Sequence, residues 1–205
     1  MAWPVALEAL VETVRWFLVF VIIERLGEQA LSQSNIIYMC FVVFLLPIEG
    51  FSEATCSMVS NLIGQDKSGM ISVLLRRAMS AGYIITLPLL AIALIWPEGL
   101  LSVFTDDAAT RAGCVDSLRI IALAILIAVP GEMCVSAVRG TGDTVAAFAT
   151  EFVRTACIIA YTYAATFSFA LDLAYIWLSV VIGWVVVLSL AWFWFGSGKW
   201  KRLYI

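Results

Sequence analysis

Apolar stretches of about 20 residues recur along this chain, and about six of them take up most of its 205 residues. They run over 4–23, 35–62, 79–96, 117–138, 144–169 and 173–195. A helix of about 20 apolar residues matches the hydrocarbon thickness of a bilayer. Inside that layer every backbone polar group must be satisfied within its own segment, which favours helices. Composition closes off the alternative of a water-soluble domain. The chain is 63% hydrophobic and 13% charged, with a mean hydropathy of +1.01, whereas soluble domains carry roughly a quarter charged residues. The expected fold is therefore all-α. It is a polytopic transmembrane bundle in which 1–205 form a single six-helix membrane unit and 196–205 a basic cytoplasmic tail.

The charge inventory removes several function classes. The formal net charge is −3 and there is no His. That excludes a basic nucleic-acid surface and any His-based metal or catalytic site. The five Cys (Cys40, Cys56, Cys114, Cys134 and Cys157) show no C-x-x-C spacing. They read as small packing residues, all but Cys114 within apolar helices. No cleavable leader is expected, because the first apolar stretch carries Glu8, Glu12 and Arg15 and no small-residue cleavage site follows. Nothing in the chain predicts an enzyme or a cofactor, and the expected surroundings are membrane lipid.

Lys and Arg sort between alternate loops. One side holds Lys67, Arg76, Arg77, Arg139, Lys199, Lys201 and Arg202, and the other only Arg25, Arg111 and Arg119. The positive-inside rule then places both termini in the cytoplasm of a plasma (inner) membrane protein. Helix-start and turn signals fall where the loops are needed: Thr105-Asp106-Asp107 before the fourth span and Arg139-Gly140-Thr141-Gly142-Asp143 after it. Pro47 and Pro130 stand inside spans, where proline removes a backbone donor, so each is an expected kink or bend point. The polar stretch 48–55 after Pro47 is expected to face the bundle interior.

The residues a bilayer should exclude are the informative ones. Glu8, Glu12 and Arg15 share a helix face at i, i+4 and i+7. Glu49 and Glu53 form a second i, i+4 pair, Glu132 lies near Pro130, and Glu151 and Arg154 form an i, i+3 pair. One reading is a cavity lined by acids that holds H+, Na+ or an organic cation. The other is internal salt bridging of Glu12 by Arg15 and of Glu151 by Arg154. The eight Trp and six Tyr read as interface anchors and core fillers.

Two motifs carry a family resemblance. Val59-Ser60-Asn61-Leu62-Ile63-Gly64-Gln65 follows the Pro-containing span, and Ser136-Ala137-Val138-Arg139-Gly140-Thr141-Gly142-Asp143-Thr144 closes the fourth. Both resemble the C-terminal lobe of multidrug and toxin extrusion (MATE) transporters, with its "VGN-x-x-G" helix end and "RG-x-GDT" turn. The resemblance implies a secondary active transporter that exports organic cations or drugs in antiport with Na+ or H+, with no cofactor beyond the coupling ion. Pro4, Glu12 and Leu26-Gly27 reproduce the layout of the family's seventh helix, which makes Glu12 similar to its cation-linked carboxylate. At the spacing of the family's tenth-helix acid this chain has Ala128, and Glu132, one turn closer to Arg139, is the candidate replacement. The cation or proton site is thus expected at Glu12 and Glu132, with Glu8, Glu49, Glu53 and Glu151 as further cavity acids and Arg15 and Arg154 as their partners. Any bound metal is expected to be Na+ at Glu12. Only one lobe is matched, so the implied partner is a second six-helix lobe, either a missing N-terminal half or a second copy. Two alternatives stand beside this reading: half of a lipid-linked oligosaccharide flippase of the same superfamily, or a non-transporting membrane fragment or assembly partner.

Overall fold

The computed structural model describes residues 2–197. The predicted basic tail residues Lys199, Trp200, Lys201 and Arg202 lie outside the described residues. Among those described, seven α-helices follow one another: α1 (Ala2–Glu24), α2 (Glu28–Gly64), α3 (Ile71–Ile95), α4 (Pro97–Leu101), α5 (Ala108–Gly140), α6 (Thr144–Tyr163) and α7 (Leu173–Gly196). A 3₁₀ turn (Ser68–Met70) leads into α3, and a π turn (Ala164–Ser168) ends α6. Among the described residues five helical stretches are long and apolar enough to cross a membrane: Glu28–Gly64, Ser68–Ile95, Ala108–Gly140, Thr144–Ser168 and Leu173–Phe195. The 23-residue α1 is also long enough, at about 35 Å. It carries Glu8, Glu12 and Arg15 within its length, and the bundle must neutralise them.

The central element is α5. Of its most apolar stretch 67% is buried, against 22% in α3 and in α6. Ile121, Ile125, Ala128, Val129, Met133 and Ala137 are fully buried. Helices α2, α3, α6 and α7 pack against it, and α1 packs on α6 and α2. Large apolar side chains on the outside, such as Phe17, Ile84, Ile95 and Phe193, are more than half exposed. That is the expected surface of a bundle whose solvent is lipid. In one half of the bundle Trp16 and Phe20 of α1, Tyr38 and Phe41 of α2 and Trp177 of α7 form a ring cluster. It plugs the space between these helices.

Two helices differ from the spans read in the sequence. The 37-residue α2 runs unbroken through Pro47, and the 33-residue α5 through Pro130. Neither proline ends its helix, and the buried face of each helix against its neighbours holds the turn that lacks one hydrogen bond. α5 also starts at Ala108, nine residues before the predicted span, so Cys114 lies inside it and is fully buried. The start is set by Asp107, whose carboxylate accepts from the amides of Ala109 (3.4 Å) and Thr110 (2.9 Å).

The Arg139–Thr144 turn shows why those residue types stand there. Gly142 has φ +84°, a left-handed conformation that costs other residues about 1 kcal/mol or more. Asp143 caps α6, accepting from the amide of Ala146 at 3.0 Å and from the indole of Trp194 at 3.0 Å. Gly140 lets α5 touch α2. A Cβ at that position would stand 2.6 Å from the Cys56 carbonyl oxygen and 2.8 Å from Val59 Cβ, and Ser60 Oγ donates to the Gly140 carbonyl at 2.8 Å. Gly140→Ala is expected to push the two helices apart and cost about 1–3 kcal/mol. Thermal unfolding of the purified chain in detergent measures this, and an unchanged midpoint would refute the close approach.

Candidate functional site

α1, α2, α5 and α6 each contribute charged residues to one cavity of about 360 Å³. From α1 come Glu8 and Glu12, one turn apart, and from α2 Glu49 and Glu53, also one turn apart. α5 supplies Glu132 and Arg139, and α6 supplies Glu151 and Arg154. The floor includes Trp184 of α7 and Cys56 of α2. All six acids named from the sequence therefore line a single space. The residues come from the first half of α1 and α6 and the second half of α2 and α5. The cavity accordingly occupies the half of the bundle that carries Lys67, Arg76 and Arg77, and the aromatic cluster fills the other half.

Two ion-pair networks form its walls. In the first, Arg15 is 1% exposed and its guanidinium donates to Glu12 Oε1 at 2.9 Å and to Glu151 Oε1. The other oxygen of Glu151 accepts from Arg154 at 3.2 Å, and the Arg154 guanidinium lies 3.9 Å from the Trp184 ring centre. Glu151 is thus shared by two buried cations. In the second network Arg139 Nε donates to Glu8 Oε2 at 3.1 Å, and its Nη1 lies 3.6 Å from Glu132 Oε1. Ser52 Oγ donates to that same Glu132 oxygen at 3.0 Å, and Ser136 Oγ donates to the Ser52 carbonyl. Glu8 is 7% exposed, and its Oε1 is buried with no hydrogen-bond partner. Among the described residues Glu49 and Glu53 have no cation within 4 Å, and their side chains are open to the cavity.

The polar stretch after Pro47 divides between two faces. Ile48, Ser52, Thr55 and Val59 are buried against α5, while Glu49, Glu53 and Cys56 turn to the cavity. Arg139 is the residue the sequence reading misplaced. It stands in a loop by motif, but it belongs to the last turn of α5 and reaches back into the cavity. The signal was available: Glu132 and Arg139 are seven residues apart, two turns along one helix face. Among the described residues no group of three or more His, Cys, Asp and Glu stands close enough to hold a metal ion. The acids face the cavity singly or paired with Arg.

Comparison with known proteins decides the family. The MatE family model matches residues 4–164. The chain belongs to the MatE family. No curated protein sequence matches it. Among solved structures, a MATE in complex with MaL6 is similar at a TM-score of 0.89 and 18% identity, over 99% of this chain and 46% of that one. A MATE in the straight conformation gives 0.88 and 19%, over 98% and 45%. A MOP superfamily transporter from Pyrococcus furiosus, described as having reverse polarity of its binding pocket, gives 0.85 and 14%, over 95% and 43%. This MatE chain thus has the fold of one lobe of such a transporter and spans a little under half the length of the structures it matches.

Proposed function

We propose that this chain supplies one lobe of a secondary active transporter that exports organic cations in antiport with Na+ or H+. The observation that carries the reading is the charge of the cavity. Among the described residues six carboxylates and two guanidiniums line it, Arg15 pairs with two of the acids from behind, and the two acids of α2, Glu49 and Glu53, have no cation of their own. A wall of this sign concentrates cations and repels anions. The lipid-linked oligosaccharide reading would call for a basic wall instead.

In the proposed cycle the coupling cation or proton neutralises Glu12 and Glu132, and the substrate takes the open carboxylates of α2. Arg139 supplies the link between occupancy and shape. α1 and α5 face each other across the cavity, and the Glu8–Arg139–Glu132 network joins them there. Neutralising Glu132 leaves Arg139 to Glu8 alone, which biases the balance between two arrangements of α1 against α5. The basic end of the bundle, with Lys67 and with Arg76 and Arg77 of α3, faces the cytoplasm of an inner membrane, so the cavity opens in the cytoplasmic half. The site completes itself against a second six-helix lobe, because transporter sites of this kind lie between repeats.

The test is binding of tetraphenylphosphonium to the purified chain in detergent, read by equilibrium dialysis. Glu49→Gln with Glu53→Gln is expected to weaken binding by about ten-fold or more, equivalent to about 1.4 kcal/mol. Glu12→Gln is expected to abolish competition by Na+ or low pH. Binding of the same strength after all three changes would sink the proposal.

A further inference from the structure

A second space lies on the opposite side of α5, and the transport reading does not use it. α3 and α7 are separated by a groove of about 790 Å³, floored by Cys134. Cys134 follows Glu132 by two residues, which turns it about 200° around the helix, away from the acidic cavity. Along its α3 wall the polar residues Ser72, Arg76 and Ser80 interleave with the apolar Leu75, Met79 and Tyr83, and Trp192 of α7 stands on the other side. From Ile71 to Tyr83 the wall rises about 18 Å, close to one leaflet of a bilayer core of about 30 Å.

The apolar span read in the sequence for this helix begins at Met79, which puts Arg76 one turn outside it, at the level of lipid headgroups. Among the described residues Arg76 is the only charged one in the groove wall. Among the described residues no carboxylate lies within 4 Å of its guanidinium. Lys67 and Arg77 lie at the same end of the bundle. An unpaired guanidinium with a mainly apolar wall reaching about 10 Å beyond it to Tyr83 fits a molecule with an anionic head and an acyl tail. We infer that the groove between α3 and α7 is a binding site for an anionic phospholipid. Its phosphate meets Arg76 and Ser72, and one acyl chain lies along Leu75, Met79 and Tyr83. Anionic lipids are enriched in the cytoplasmic leaflet, the side on which the positive-inside rule puts this end.

The experiment is native mass spectrometry of the full chain in detergent, with equimolar dioleoyl-phosphatidylglycerol and dioleoyl-phosphatidylcholine. The phosphatidylglycerol adduct is expected to dominate. Arg76→Gln is expected to cut that preference about five-fold, the effect of one basic residue near a charged lipid. Arg77→Gln should leave it unchanged, since Arg77 faces a different surface, with Met58 and Asn61. Leu75→Trp should fill the groove and remove both adducts. Variants are compared at equal helicity by circular dichroism. Three results would overturn the inference: equal retention of the two lipids by the unmodified chain, equal effects of Arg76→Gln and Arg77→Gln, or undiminished adducts in Leu75→Trp.

Discussion

Glu151→Gln is expected to destabilise the bundle by about 3–5 kcal/mol, the cost of stripping a buried ion network of its shared partner. Arg15 is 1% exposed and Arg154 is 7% exposed, and both lean on the one Glu151 carboxylate. Without it Arg15 keeps only Glu12, whose side chain is 55% exposed, and Arg154 keeps only the face of Trp184. Two cations would then share a wall with half an anion between them, in a setting where water does not screen them. The loss should show as a lower unfolding temperature of the detergent-solubilised chain. A second variant separates charge from packing. Replacing the three together, as Arg15→Met, Glu151→Leu and Arg154→Met, leaves no buried charge and should recover most of the lost stability. If Glu151→Gln alone unfolds at the original temperature, the three side chains do not form the network described.

That network also shows what a linear reading can see. Glu12 with Arg15 and Glu151 with Arg154 were visible as i, i+3 pairs, because a helix places such residues on one face. Their union through Arg15 and Glu151 was not, since it joins residues 136 apart and depends on α1 lying against α6. The faces of α2 were half legible. Glu49 and Glu53 declared themselves as a pair, but the partition that buries Ser52 and Thr55 against α5 depends on where α5 lies. Pro47 and Pro130 stand inside continuous helices, because proline's local cost is fixed while the packing that offsets it is tertiary. Arg139 misled because its neighbours Gly140, Thr141 and Gly142 describe a turn. A long side chain at a helix end is free to point back along the helix, and here it has two carboxylates to meet. Cys56 and Cys134 read alike in sequence as helix-interior thiols. The structure puts one on the cavity and the other on the groove between α3 and α7.

Arg139→Met should strengthen binding of an organic cation, by about ten-fold, while every acid-to-amide change at the cavity weakens it. The sign follows from what Arg139 does in this arrangement. It is a cation tethered inside a cation site, holding Glu8 at 3.1 Å and standing 3.6 Å from Glu132. A charge-assisted hydrogen bond contributes about 1.5–3 kcal/mol, so a ligand that takes those carboxylates must first replace the guanidinium. Removing it frees two acids and deepens the negative potential that draws cations in. Tight binding is not transport, however. With no internal cation to return to Glu8 and Glu132, nothing drives the ligand off, and the tie that joins α1 to α5 in the empty state is gone. The same variant is therefore expected to bind tetraphenylphosphonium more tightly and to release it more slowly. Weaker binding by Arg139→Met would mean that the guanidinium holds the cavity open for the ligand instead of occupying its place.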